Sequence, residues 1–234
     1  MMTNYAHVAA IAARTSVVAE EATLDEMRAA LAPVVAENAA FDGWSEAALS
    51  MAADKLGVDR DIAGLAFAGG AVAMIDAWFA HIDGVVAARW PVEKLQTMKV
   101  RARIAALVEE RLAALAPLRE SLRRALAVLA MPQNAPRAAR LGWRSVDGMW
   151  RQAGDSATDY NHYSKRMMLG GVYSATIAVF LNDESEDWAE TRAFLARRIE
   201  GVMRFEKAKA GFVARTANLP SLSRFIGRLR YPAV

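Results

Sequence analysis

The chain has 234 residues, 54% of them hydrophobic and 24% charged, which suffices for a substantial core in one or two domains and excludes a disordered chain. It contains no cysteine, which excludes a disulfide framework, a thiolate metal site and a cysteine nucleophile. Its formal charge of +3 hides an asymmetry: residues 1–100 hold 7 Lys/Arg against 13 Asp/Glu, and residues 101–234 hold 22 against 13, so an anionic partner should meet the second half.

Residues 1–22 show no strong hydrophobic period and are expected to form a flexible N-terminus. Arg14 is the only base there and Glu20-Glu21 follow, so a cleaved targeting segment is not expected. Thr23 or Asp25 can cap a helix that buries Leu24, Met27, Leu31, Val34 and Val35 and ends near Asn38. Phe41-Asp42-Gly43-Trp44 reads as a turn, after which Ser45 starts a second helix closed by Gly57, and a third runs from Asp59 to about Phe67. Three short helices with a small-residue core have the composition of a helix-turn-helix head, residues 23–68. The pattern resembles the N-terminal head of the TetR family of transcription regulators. Its charge argues against DNA: from Ser45 to Ala68 the bases are Lys55 and Arg60, and the acids are Glu46, Asp54, Asp59 and Asp61. The head is read as a degenerate relic that binds no nucleic acid.

Gly69-Gly70 separates the head from a helical body, residues 69–213, which begins with a long helix from Ala71 to about Ala88. Its stripe is Val72, Ile75, Trp78, Phe79, Ile82 and Val85. Trp90-Pro91 makes a corner, and Leu95 to Ala116 reads as helical throughout until Pro117 interrupts it. Leu118–Ala130 is a separate helix, and residues 131–136, MPQNAP, read as a loop.

Residues 141–166, LGWRSVDGMWRQAGDSATDYNHYSKR, are the least ordinary stretch. Trp143, Val146, Trp150 and Ala153 recur at helical spacing, Gly154 suits a helix end, and Asp155 or Ser156, the latter with Asp159, can cap the next helix. The stretch then offers Asp159, Asn161, His162, Tyr163, Lys165 and Arg166 on the first turns of a core helix, 159–182, whose stripe is Leu169, Tyr173, Thr176, Ile177 and Phe180. Its uncharged run Met167–Asn182 has 16 residues, short of the roughly 20 that span a bilayer. Ser185 with Glu186 and Asp187 caps a final body helix that turns Trp188, Thr191, Leu195, Ile199 and Val202 inward. No stretch alternates with period two, so the fold class is all-α.

On these residues the chain resembles the lipid-binding accessory proteins of ubiquinone (coenzyme Q) biosynthesis. That family's run is roughly a Trp, D-x-x-W, G-D, then S-T-D-F-N-W-Y-T-K-R. Trp143, Asp147, Trp150, Gly154, Asp155, Thr158, Asp159, Asn161, Tyr163, Lys165 and Arg166 stand in those places, and His162 departs from the usual Trp. The likeness extends from Phe41-Asp42-Gly43-Trp44-Ser45 to Arg197-Arg198-Ile199, about residues 24–205. It implies a TetR-like all-helical bundle, a homodimer, and binding of an isoprenoid quinone or phospholipid. It also implies presentation of that lipid to the di-iron demethoxyubiquinone hydroxylase through Asp159, Asn161, His162, Tyr163, Lys165 and Arg166. The implied place is peripheral to a bacterial inner membrane, or the matrix side of the mitochondrial one. Trp143, Met149, Trp150, Met168, Tyr173 and Ile177 are large enough to line an apolar pocket, although each is equally suited to plain core.

Residues 214–234 read as a linker and a short basic amphipathic helix, with Leu219, Leu222, Phe225, Ile226 and Leu229 on one stripe and Arg224, Arg228 and Arg230 beside it. It can lie in a membrane interface or pack on protein. Burying the five side chains supplies at most about 8–12 kcal/mol, against about 13–20 kcal/mol for ordering 13 backbones. Membrane binding by this segment alone should be weak and reversible.

The catalytic inventory is poor. His7, His81 and His162 lie far apart, and there is no E-x-x-H pair, no G-x-S-x-G elbow and no Gly-rich loop after a strand. A non-catalytic binding protein without cofactor or metal is therefore expected, with a TetR-like regulator holding a hydrophobic ligand as the alternative.

Overall fold

The computed structural model describes residues 22–155 and 160–217, and every regular element among them is helical. The first helix, α1 (Leu24–Asp42), opens with a capping box: Thr23 Oγ1 accepts from the Glu26 amide at 3.3 Å, and the Glu26 carboxylate accepts from the Thr23 amide at 2.9 Å. It does not stop near Asn38. That side chain donates instead to the Ala48 carbonyl, and the helix runs one turn further to Gly43, whose φ of +68° ends it without a Cβ penalty.

Helix α2 (Glu46–Leu56) is capped by Ser45 and closed by Gly57, and the carboxylate of Asp59 takes the amides of Asp61 and Ile62 to start α3 (Arg60–Ala66). After Gly70 come α4 (Ala71–Arg89), α5 (Val92–Gln96), α6 (Val100–Leu115), α7 (Arg119–Leu129), α8 (Ala135–Gln152), α9 (Tyr160–Phe180) and α10 (Ala189–Ala217). Helix α1 packs the head on α4 and α7, and buried alanines such as Ala32, Ala36, Ala52 and Ala63 let the head's backbones approach closely. Trp44 joins head to body: its indole N–H donates to the Ser121 carbonyl at 3.1 Å, and its ring lies 5.3 Å from that of Trp78. The core is continuous across the Gly69-Gly70 turn.

Helix α4 is long and apolar enough to cross a membrane by length and composition. Here Val72, Ile75, Trp78, Phe79 and Ile82 are core, with Val86 rather than Val85 completing the stripe. Its Asp76 and Asp83 are ion-paired with Arg144 and Arg111, so the fold uses it as a packed element.

The helix expected over 95–116 is broken. Thr97 Oγ1 donates to the Lys94 carbonyl, Lys99 is extended, and the Arg103 guanidinium takes the carbonyls of Gln96 and Met98, so backbone groups that would continue the helix are satisfied elsewhere. The loop expected over 131–136 is a 3₁₀ turn, Pro132–Asn134, followed at once by α8, which accommodates Pro136 in its first turn where no intrahelical N–H bond is lost. Helix α6 is the centre of the body and touches α4, α8, α9 and α10.

Before α10 the chain makes a 3₁₀ turn, Glu186–Trp188, with Asp187 and Trp188 at positive φ. Ser185 Oγ does accept from the Glu190 amide at 3.1 Å. The principal acceptor is the buried Asp183, which takes the amides of Ser185 and Thr191, both at 2.8 Å, and both their hydroxyls.

Candidate functional site

Breaking the chain between α5 and α6 opens a cavity of about 350 Å³. The first turns of α6 supply Val100, Arg101, Arg103 and Ile104. The end of α8 supplies Trp150, Ala153, Gly154 and Asp155, α9 supplies Ser164, Lys165, Met168, Leu169 and Val172, and α10 supplies Ile199, Val202 and Met203. Ile104, Leu169, Val172 and Ile199 form a buried apolar floor, while Arg101 and Met203 are exposed at the rim. An apolar lining with a few convergent polar groups is the usual composition of a small-molecule site. Three other clefts, of about 350–470 Å³, are each bordered by several charged side chains.

The wall is pinned by Arg103, which donates to Ala153 O at 2.7 Å as well as to Met98 and Gln96. Gly154 is required beside it: φ is +88°, and a Cβ there would stand 3.2 Å from Arg103 Nη1. Trp150 Nε1 donates to the Lys165 carbonyl at 3.1 Å, which locks α8 to α9 along the cavity.

Beneath this wall lies a charged network. Arg166, 1% exposed, donates to Asp147 at 2.6 Å and to Asp155 at 3.0 Å, while Arg151 pairs with Asp147 at 2.8 Å and Lys165 with Asp155 at 2.7 Å. Burial alone would raise the Asp155 carboxyl. Hydrogen bonds and charge from Lys165 and Arg166 outweigh it and hold the group below the ordinary carboxylate range. A second buried guanidinium, Arg111, ties α6 to Asp83 of α4, Ser145 of α8 and Tyr173 of α9.

On the outer side of the same turns, Trp143 is 37% exposed and its ring lies 6.2 Å from His162 and 5.9 Å from Tyr163, which is 58% exposed. The structure therefore distributes the predicted residues over three places. Trp150 and Met168 line the cavity. Met149, Tyr173 and Ile177 are buried outside its lining, and Trp143 stands at the surface with His162 and Tyr163. Of the predicted partner-contact residues, Arg166 is an internal tie and Lys165 faces the cavity. Asp159 lies outside the described residues, as do Ser156 and the five apolar residues Leu219, Leu222, Phe225, Ile226 and Leu229; Asn161 lies in the first turn of α9.

Sequence reasoning had placed Leu169, Ile199 and Val202 inward but not at a cavity, and had missed Arg103 and Val172 as lining residues. Their only signal is helical spacing, which plain core shares. Among the described residues no group of three His, Cys, Asp or Glu side chains is placed to hold a metal ion.

Residues 135–206, which comprise α8, α9 and much of α10, match the COQ9 family model. This segment resembles the COQ9 family. Over 96 residues the chain is 44% identical to the rat "Ubiquinone biosynthesis protein COQ9, mitochondrial" and 42% identical to the human protein of that name, in each case 41% of this chain. The match spans 31% of the rat protein, so the chain covers about a third of the length of such relatives. The Drosophila COQ9 protein aligns more widely, 26% identical over 80% of this chain and 59% of its own. A solved structure titled a TetR transcriptional regulator from Nitrosomonas europaea covers 75% of this chain and 97% of its own with a TM-score of 0.60 and 26% identity. The fold is thus the TetR-like all-α bundle. The COQ9-like segment carries three of the cavity's four walls, the Arg166 network and the Trp143–His162–Tyr163 cluster, and α6 supplies the fourth wall.

Proposed function

We propose that this chain is a non-catalytic accessory protein of ubiquinone biosynthesis that shelters an isoprenoid quinone intermediate, or a phospholipid, in the α6–α8–α9–α10 cavity. It presents that lipid at a membrane surface to the di-iron demethoxyubiquinone hydroxylase and works as a homodimer peripheral to the inner membrane. The observation that carries this reading is an apolar cavity built mainly by the COQ9-like segment, one helix turn away from an exposed aromatic cluster. A polyprenyl chain leaves a bilayer only at the cost of exposing its apolar surface, and a buried floor of Ile104, Leu169, Val172 and Ile199 lowers that cost. At ~30 Å³ per water-sized group the cavity takes roughly a dozen such groups, about two isoprene units. The rest of a long tail remains with the membrane or with a second subunit.

Organic extraction and native mass spectrometry of the purified full chain provide the test. A copurified or taken-up lipid at a fixed stoichiometry is expected. Protein that stays lipid-free and takes none up from quinone-loaded liposomes refutes the proposal.

The TetR-regulator neighbour favours a second reading, a DNA-binding regulator. Against it, both bases of the head motif are already committed: Arg60 to Asp54 at 2.6 and 2.8 Å, and Lys55 to Glu37 at 2.8 Å. In addition, α3 exposes Ile62 and Leu65. A duplex gains no countercharge from such a surface. A regulator would shift an operator duplex in a gel with a steep salt dependence, and this chain should not.

A further inference from the structure

The cavity carries charges that lipid tails alone do not explain. Its one lining carboxylate among the described residues, Asp155, is paired with Lys165 and Arg166. The Arg103 guanidinium is held by three backbone carbonyls, Gln96, Met98 and Ala153, which fix its position but leave its full charge uncompensated. Arg101, exposed at the rim, forms no ion pair among the described residues. Helix α6 begins here with Lys99 and no acid in its first turn, so its positive end adds to the same field. A positive surplus thus borders a space that Ile104, Leu169, Val172 and Ile199 also line.

We propose, resting on the lipid-cavity reading above, that this cavity selects an amphiphile with an anionic headgroup, a phosphate or a carboxylate, over its neutral counterpart. Arg101 meets the headgroup, and Arg103 is the fixed charge beside it. A charge-assisted hydrogen bond to a guanidinium is roughly twice as strong as a neutral one and is bidentate for phosphate and carboxylate alike. Arg103 cannot turn to follow a ligand because three of its five N–H donors are engaged, one on each nitrogen. Arg101, on one exposed turn, can. An uncharged quinone ring gains only ordinary hydrogen bonds at the same place, so the site discriminates by charge as well as by chain.

The test uses the full chain, delipidated, in calorimetric titrations with n-dodecyl phosphate, 1-dodecanol and inorganic phosphate. Dodecyl phosphate should bind at least tenfold more tightly than dodecanol, and inorganic phosphate should not bind measurably. Arg101→Gln, which removes no bond within the fold, should weaken dodecyl phosphate at least fivefold and leave dodecanol unchanged. Val172→Trp, which fills the floor, should abolish binding of both chains. Equal affinity for the two chains, or an Arg101→Gln variant that binds dodecyl phosphate normally, overturns the headgroup assignment while the cavity reading stands. Dodecyl phosphate binding that survives Val172→Trp, or is matched by inorganic phosphate, means adsorption at a surface and overturns it as well. Failure of both chains to bind overturns the cavity reading too.

Discussion

Replacing Arg166 by Ala removes the tie beneath the cavity wall. The side chain is 1% exposed, and it donates to Asp147 at 2.6 Å, to Asp155 at 3.0 Å and to the His162 carbonyl at 3.0 Å. Removing one partner of a buried ion pair costs about 3–5 kcal/mol. Here Asp147 keeps Arg151 and Asp155 keeps Lys165, which places the expected loss at the lower end, about 3 kcal/mol. That is a large share of a typical total of about 5–15 kcal/mol, and at about 2–4 °C per kcal/mol it lowers Tm by about 6–12 °C. The sign of the pH dependence follows from Asp155, whose carboxyl lies below its ordinary value in the folded chain. Such a group contributes stability that is present above its unfolded pKa and is lost as pH falls through the folded value. The variant lacks part of that contribution, so the difference between wild type and variant should shrink below about pH 4. Urea denaturation followed by circular dichroism at pH 7 and at pH 3.5 measures both quantities. A loss under about 1 kcal/mol at pH 7, or a difference that does not change with pH, refutes the argument.

Asp183 gives a second acid-sensitive point. Burial works to raise its carboxyl, but the hydroxyls and amides of Ser185 and Thr191 hold it far below the ordinary range, so Asp183→Asn should flatten the acid limb of the stability curve. It should also cost about 1–3 kcal/mol at pH 7, since it mismatches buried donors, and denaturation midpoints across pH would show both effects. Trp44→Ala should cost about 3–5 kcal/mol by opening a cavity between head and body, seen as a lower urea midpoint. Tyr163→Ala removes an exposed ring, so it should reduce co-purification with the hydroxylase without changing helicity; unchanged co-purification counts against that surface. Truncation after Ala217 should abolish flotation with liposomes, and undiminished flotation removes the role assigned to residues 218–234.

The helices, their caps and the composition of the head were legible in the residues, because each signal is local. Thr23, Ser45, Gly57 and Gly154 act on amides and carbonyls within one turn of themselves, and the structure places them as their spacing predicts, while the Glu26 half of the Thr23 box and the capping role of Asp59 emerge only in the structure. The COQ9-like run 141–166 was legible for the same reason, as a pattern of residue types in order.

The cavity was not legible. It exists because α5 and α6 part at Thr97–Lys99, and that break depends on Arg103 reaching the carbonyls of Gln96, Met98 and, fifty residues on, Ala153. Nor does helical period distinguish Val172, which faces the cavity, from Tyr173 and Ile177, which pack in the core: all three are apolar positions on one helix. Arg166, charged and close to a loop, looks like surface until three partners converge on it. Local chemistry, acting over a few residues, sets where this chain turns. Which side of each helix meets solvent, core or cavity depends on long-range partners, and only packing all ten described helices decides it.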